Sequence, residues 1–587
     1  MRKTIAILPA LLALAAIGHA DTSDVRRWTF KREFLPALVK SVPKLLGSQD
    51  TATGRFGVGV WIPNDQTVIY PLAAAWALQD PQNPYHHDSK LLEAVMRGGD
   101  ALAETQDKDG RWVFLKKDNS TWGLHYDPWV YSRWVRAYSL IRDGMPPERR
   151  VRWEKALQLG YEGIEKHELT HVHNIPAHQA MGLYLAGKAL NRPEWCAKAS
   201  AFLIRVAEKQ DTNGFWSEHV GPVVNYNTVY FDALGTYYGI THDERVLDAL
   251  QRSARFHAHF TYPDGSSIET IDERNPYSRR YALPNVGFSF CAEGRGYVRE
   301  QWTRLKAQRL AESTDTLASL LLYGEEGPVA PPPGAGGNST FTTGDGKASV
   351  IRKGPWCACL SAYAGAISRS RWIQDRQNLL SLFHEKTGLI LGGGNTKLQP
   401  LWSTFTVGDT SLLKHQPGDE NPDFSEPTSL LHVTSRATLE TNGRRLALAY
   451  EETLCSVALD LPEKNKARLT YTVKSSANTS RVEAHLPFLP AVGKRWRAAL
   501  GKSGRLGTAQ FKLTAAEAGA WFEHNGWRVE VPPQSSITWP VLPHDPYHKD
   551  GHATPDEGRI VLTVPFSTNT TMQVISVSLP DLPDLPD

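Results

Sequence analysis

The residues best equipped for chemistry lie between 165 and 180, in EKHELTHVHNIPAHQA. Four histidines, His167, His171, His173 and His178, surround Asn174-Ile175-Pro176. HELTH fits H-E-x-x-H, which on one helix face would hold a zinc ion between two imidazoles, beside a glutamate base. The flanks do not suit that use. Glu165-Lys166 precedes His167 as at a solvated helix end, and Pro176 would disrupt a helix carrying both His171 and His178. The long form of the motif also needs Gly and a third His, where Asn174 and Ala177 stand, with His178 one residue late. A zinc peptidase is therefore disfavoured. No cofactor is assigned, and an auxiliary divalent metal stays compatible with the sequence. The other reading starts from Pro176: it marks a helix start, from which Asn174, His173 and His178 can face a cleft.

Those residues need elements to position them, and the clearest organisation is an internal repeat. SQDTATGRFG (48–57), ETQDKDGRWV (104–113) and EKQDTNGFWS (208–217) share Gln-Asp, a turn glycine and a following aromatic. A degenerate copy, TYPDGSSIE, puts Gly265 in step with Gly54, Gly110 and Gly214, and Gly163 fills the gap. A fixed period of this size means stacked supersecondary units. Between the marks, 88–106, 193–210 and 243–260 carry apolar residues at helical spacing. Two helices per unit predict an incomplete α/α toroid of helical hairpins over 21–324, with loops at one end forming a concave cleft.

Residues 325–347 are rich in Pro, Gly, Ser and Thr and read as a linker. Beyond them the period becomes two, in 444–461, 467–476 and 558–566. This predicts an antiparallel β-sheet (sandwich) domain over 348–580, followed by a low-complexity tail, 581–587. Residues 1–20 have a basic start, an apolar run and a small-x-Ala end, the pattern of a signal peptide cut after Ala20. Export to the periplasm or beyond is expected, and no later apolar run is long enough for a membrane span. Losing Arg2 and Lys3 takes the formal charge from +3 to +1, so the chain offers no overall field for nucleic acid. Cys196, Cys291, Cys357, Cys359 and Cys455 read as free thiols rather than a disulfide framework.

Polar residues collect in 124–134, 171–187, 216–238 and 266–285. HNIPAHQAMGLYLAGKAL (173–190), then NGFWSEHVGPVVNYNTVY (213–230), then PDGS (263–266) together resemble the heparinase II/III-like polysaccharide lyases. The resemblance implies an α/α toroid followed by a β-sandwich, and cleavage of a uronic-acid-containing polysaccharide by β-elimination. It implies Asn174 as the group neutralising the uronate carboxylate, with His178 or His173 assisting it or acting as base. It further implies a tyrosine acid/base at Tyr226 or Tyr230, with Tyr226 preferred as the first after the loop. The family commonly places His directly after the Asn, whereas Ile175 stands here. Trp216, Glu218, His219, Arg279 and Arg280 are expected to bind substrate from the same loops. Arg371, Asp375 and His384 are expected to reach it from 368–397, which resembles the strand pair covering the cleft in these lyases. Two other functions fit a toroid: an inverting glycoside hydrolase using Glu218, Glu269, Asp272 or Glu273, and a non-catalytic glycan-binding protein. The hydrolase chemistry needs two carboxylates about 6.5–9.5 Å apart.

Overall fold

The computed structural model describes residues 27–580, except 58–62, 116–120, 219–220, 280–281, 311–312, 367, 371–372, 374–375, 395–398, 413–427, 441, 476–480, 547 and 549. The N-terminal half is built of helices α1 (Lys31–Leu46), α2 (Ile69–Ala77), α3 (Ser89–Thr105), α4 (Pro128–Ile141), α5 (Pro147–His167) and α6 (Asn174–Ala189). It continues with α7 (Pro193–Glu208), α8 (Val224–Thr241), α9 (Leu247–His259), α10 (Ala292–Gln308) and α11 (Thr314–Tyr323). Composition sorts them into two rings. Helices α2, α6 and α8 are apolar or small on nearly every side, so each can be buried all round. By contrast, α5 buries one stripe, Trp153, Leu157, Gly160, Tyr161 and Ile164. The inner ring runs α2, α4, α6, α8 and α11, and α11 packs back on α2. In the fifth hairpin the inner arm is only a short 3-10 turn, Val286–Phe290, which leaves the toroid incomplete.

The repeat marks are the turns leading from outer helices to the inner ring. In each, the glycine takes a positive φ: 75° at Gly54, 84° at Gly110 and 91° at Gly214. A side chain there would also collide with the next outer helix, since a Cβ on Gly110 would lie 2.8 Å from the Cα of Gly160. The repeated glutamine completes the joint. Gln49, Gln106 and Gln210 donate to the carbonyls of Ala94, Ala156 and Ala249, each in the following outer helix. Gly163 is not a copy of this turn: it lies inside α5, where a Cβ would meet the ring of Tyr126. The turn is missing after α5, and the histidine-rich segment stands in its place.

The C-terminal half is two antiparallel sheets, of eleven and nine strands among the described residues. Their facing sides share one apolar core, including Trp356, Leu382, Phe405, Tyr471, Phe488 and Trp527. A second cluster joins the larger sheet to the toroid: Phe256, Phe260, Tyr262 and Ile271 pack against Val350, Cys357, Cys359 and Phe383. All five cysteines are free. The segment read as a linker is partly strand. Gly327–Pro328 pairs with Arg27–Trp28, and Ser339–Thr342 forms an edge of the larger sheet. Its glycines supply left-handed turns at Gly334, Gly336 and Gly337, while β-branched Thr340 and Thr342 pair in the ladder. The expected leader (1–20) and tail (581–587) lie outside the described residues. Among the described residues no helix is long and apolar enough to cross a membrane.

Candidate active site

The stretch 165–180 is divided by a helix boundary. His167 is the last residue of α5, and His171 lies in the turn beyond it, so HELTH does not present two imidazoles on one helix face. Asn174 opens α6, and Pro176 sits in its first turn, where its missing N–H costs nothing. Helix α6 thus aims its N-terminal end, favourable to an anion, at the mouth of the toroid.

Glu218, from the loop before α8, is the hub of the site. Its Oε2 accepts from Asn174 Nδ2 at 2.8 Å and lies 2.9 Å from His173 Nε2. Its Oε1 accepts from the Tyr230 hydroxyl at 2.7 Å. Burial opposes ionisation of Glu218, but the bonds from His173, Tyr230 and Asn174 outweigh it and hold the carboxyl below its usual range. Tyr230 feels the reverse: burial, then the charge of Glu218, drives its pKa far up. Trp216 was expected to offer a platform to a sugar. Instead it is 2% exposed, its ring stacked on Tyr230 at 5.0 Å and its Nε1 donating to the Val206 carbonyl. The Asn227 side chain, accepting from the Trp216 amide, draws it into the core.

One turn before Tyr230, Tyr226 is half-buried, and the guanidinium of Arg274 lies 4.6 Å from its ring centre. Its helical neighbours Asn225, Thr228 and Val229 line a cavity of about 1040 Å³ at the N-terminal ends of the inner helices. His178, one turn into α6, lines the same cavity. Its Nε2 is 2.9 Å from Arg133 Nη1 and 2.8 Å from Ser132 Oγ. An arginine can only donate, so Nε2 accepts and the ring proton sits on Nδ1. Burial, then the charges of Arg133 and Arg136, push this imidazole well below its usual pKa. The lone pair a base would use is already engaged, which does not fit His178 as the proton acceptor.

The remaining expected residues scatter. Arg279 is exposed on the loop beside the cavity, 3.9 Å from Asp264. His384 lies away from the cavity, its Nε2 3.0 Å from the Lys464 carbonyl and its Nδ1 accepting from the Lys386 amide. It fills a turn of the β domain because strand pairing sets it beside Trp356. His219, Arg280, Arg371 and Asp375 lie outside the described residues. Glu269 and Asp272 are buried and occupied: Glu269 accepts from the Gly393 amide and the Tyr262 hydroxyl, and Asp272 from the amides of Val224, Arg274 and Asn275. Burial raises both their pKa values.

Ser132, Arg133 and Arg274 lie within the polar segments 124–134 and 266–285 but carry no signal of their own in the sequence. Nor does Arg376, buried beside Asp272 and Glu273, or Arg559, which lines the cavity from the β domain. None carries a motif, and only the packing brings them to the site. No group of three or more His, Cys, Asp or Glu among the described residues is arranged to hold a metal ion.

A ring of helical hairpins followed by a large two-sheet antiparallel domain is a fold this chain shares with solved structures of chondroitin AC lyase and heparinase III. The likeness extends over nearly the whole chain. The chondroitin AC lyase of Streptomyces coelicolor A3, solved with chondroitin sulphate, matches at TM-score 0.52 and 14% identity, over 97% of this chain and 81% of that one. Heparinase III matches at TM-score 0.53 and 12% identity, over 97% and 88%. Neither a family model nor a curated protein sequence matches the chain.

Proposed function

We propose that this chain is an exported polysaccharide lyase that cleaves a uronic-acid-containing glycan by β-elimination. The observation that carries the reading is the hub at Glu218, which fixes the Asn174 amide at the N-terminus of α6, with the second N–H of Asn174 Nδ2 facing His173 Nδ1 at 3.2 Å until a uronate carboxylate takes it. A uronate carboxylate resists loss of the C5 proton, because the product is a dianionic enolate. The Asn174 amide and the α6 N-terminus are suited to take up that charge. Glu218 itself repels a second carboxylate, and the hydrogen bonds from His173, Asn174 and Tyr230 only disperse part of its charge.

Tyr226 is assigned as base and acid. With the guanidinium of Arg274 4.6 Å from its ring centre, Tyr226 as phenolate takes the C5 proton. The C4–O bond then breaks, a C4=C5 double bond forms, and the same proton returns to the leaving oxygen. No water is consumed. Tyr230 fits a positioning role, because its proton is held by Glu218. His173 supports Asn174 through Glu218, and Arg279 extends the cationic rim towards the glycan.

The reading is tested by incubating the protein with a panel of uronate polysaccharides and following absorbance of the 4,5-unsaturated product. New reducing ends without that absorbance would replace it with hydrolysis, for which Glu269 and Asp272 are poorly placed. Binding with neither signal would leave a glycan-binding protein.

A further inference from the structure

Tyr226 stands in the first turn of α8, and Arg274 lies on the loop after the 3-10 turn Glu269–Ile271. The guanidinium and the ring centre nevertheless meet at 4.6 Å, so the two segments must be held in register. Helix α8 opens on two valines, and Val223 offers no side chain to cap it. The amides of a first turn have no partner within their own helix. Here the acceptor comes from the other segment: Asp272 Oδ2 accepts from the Val224 amide at 2.8 Å. Its Oδ1 accepts from the amides of Arg274 at 2.9 Å and Asn275 at 2.8 Å. One carboxylate therefore grips both chains close to the pair, since Val224 precedes Tyr226 and Asp272 precedes Arg274 by two residues each. The Glu273 amide adds a longer bond, 3.4 Å, to the Pro222 carbonyl.

The carboxylate is buried, and its counter-charge comes from the β domain. Arg376, also buried, stands beside Glu273 and Asp272, whose charges offset part of the cost of burying it. Burial lowers it only to about 10, so it stays charged at neutral pH. It also backs the loop before α8, with Nη2 3.7 Å from where a Cβ on Gly221 would stand. The turn in front of Asp272 is tied to the same domain. Glu269 accepts from the Gly393 amide at 2.9 Å, and the Thr270 hydroxyl donates to Ser381 Oγ at 2.6 Å. The β domain thus sets where Asp272 sits, and Asp272 sets where α8 begins and where Arg274 leaves its loop.

We infer that Asp272 is a positioning residue for the elimination, clamping the start of α8 to the Arg274 loop so that Tyr226 and Arg274 meet in the geometry proton transfer needs. The inference rests on the lyase reading for what Tyr226 does, while the clamp itself stands on the bonds just described. Asp272 borders the cavity, but both its oxygens are engaged within the protein, so it acts through the pair and not on the substrate.

The test is a double-mutant cycle on the full chain, with the uronate polysaccharide that yields most unsaturated product as substrate. Asp272→Asn keeps the shape of the side chain but leaves a single oxygen to accept. Its kcat should fall by about 10–100-fold, the scale of a misplacement of about 1 Å, with KM within about twofold of the parent. In an Arg274→Ala background the same substitution should cost less than about threefold, because the contact it positions is already gone. An unchanged kcat, a loss confined to KM, or losses that multiply in the double variant overturn the inference.

A second readout needs no turnover. Arg274 is half-buried, and its modification by phenylglyoxal, followed by mass spectrometry of its peptide, should quicken severalfold in Asp272→Asn. If that variant does not fold, Thr270→Val, which removes only the hydroxyl bonded to Ser381, should quicken it in the same direction. Modification at the parental rate in the folded variant overturns the clamp. Faster modification without unsaturated product from any polysaccharide would instead sink the lyase reading and leave the clamp standing.

Discussion

Tyr226 and Tyr230 lie one helical turn apart on α8, and removing each hydroxyl should have a different consequence. Tyr230→Phe deletes a 2.7 Å hydrogen bond to a buried carboxylate. Bonds to charged groups are worth about 1.5–3 kcal/mol, and Glu218 Oε1 would be left unsatisfied in the core. Taking about 2 kcal/mol, and about 2–4 °C per kcal/mol for a domain of this size, the melting temperature should fall by about 4–8 °C. Because Glu218 keeps Asn174 and His173, kcat of the folded variant should stay within about tenfold of the parent. Tyr226→Phe removes the proposed acid and base from a half-buried position, so turnover should drop by about 10²–10⁴ with little change in substrate binding. Calorimetry and initial rates of unsaturated-product formation read the two effects separately. A Tyr226→Phe enzyme with near-parental kcat, beside a folded but inactive Tyr230→Phe, would refute the assignment.

Asn174→Ala should lower kcat by about 10²–10³, the usual loss when one preorganised donor to a developing oxyanion is removed, and the product assay checks it. Gly110→Ala should lower the unfolding free energy from urea titration by about 2–4 kcal/mol, combining left-handed backbone strain with a clash against Gly160. Acid should weaken the toroid through His257, whose buried imidazole is held neutral down to about pH 4. The unfolded chain takes up that proton near pH 6.5, so stability is fully present above 6.5 and is lost progressively towards pH 4. The share of this one residue is about 3 kcal/mol. Urea titrations of the parent and His257→Gln between pH 7 and 4 should show a shallower decline in the variant.

The repeat and the architecture were legible because both follow from local chemistry. A Gln-Asp turn closing on glycine needs that glycine for a positive φ and its glutamine for the next helix, so it recurs at three of the hairpin joints. The gap after α5 was misplaced onto Gly163, whose smallness serves Tyr126 instead of a turn. Glycine letters alone do not separate those two uses. The segment 325–347 misled for a related reason: its prolines and glycines mark turns, yet an edge strand needs only a few β-branched residues between them.

At the site, sequence alone determined the residue types: an Asn opening a helix after a histidine-rich turn, and two tyrosines after an acidic loop. Helix initiation at Asn174-Ile175-Pro176 is decided within a few residues of chain, which is why it could be read directly. Roles were decided elsewhere. Glu218 joins Asn174 to Tyr230 across 44 and 12 residues, and Arg133 claims the His178 lone pair from 45 residues away. The cavity requires walls from both domains at once. Hydrogen bonding and burial between distant segments set which group holds a proton, and those are properties of the packed molecule that no local pattern encodes.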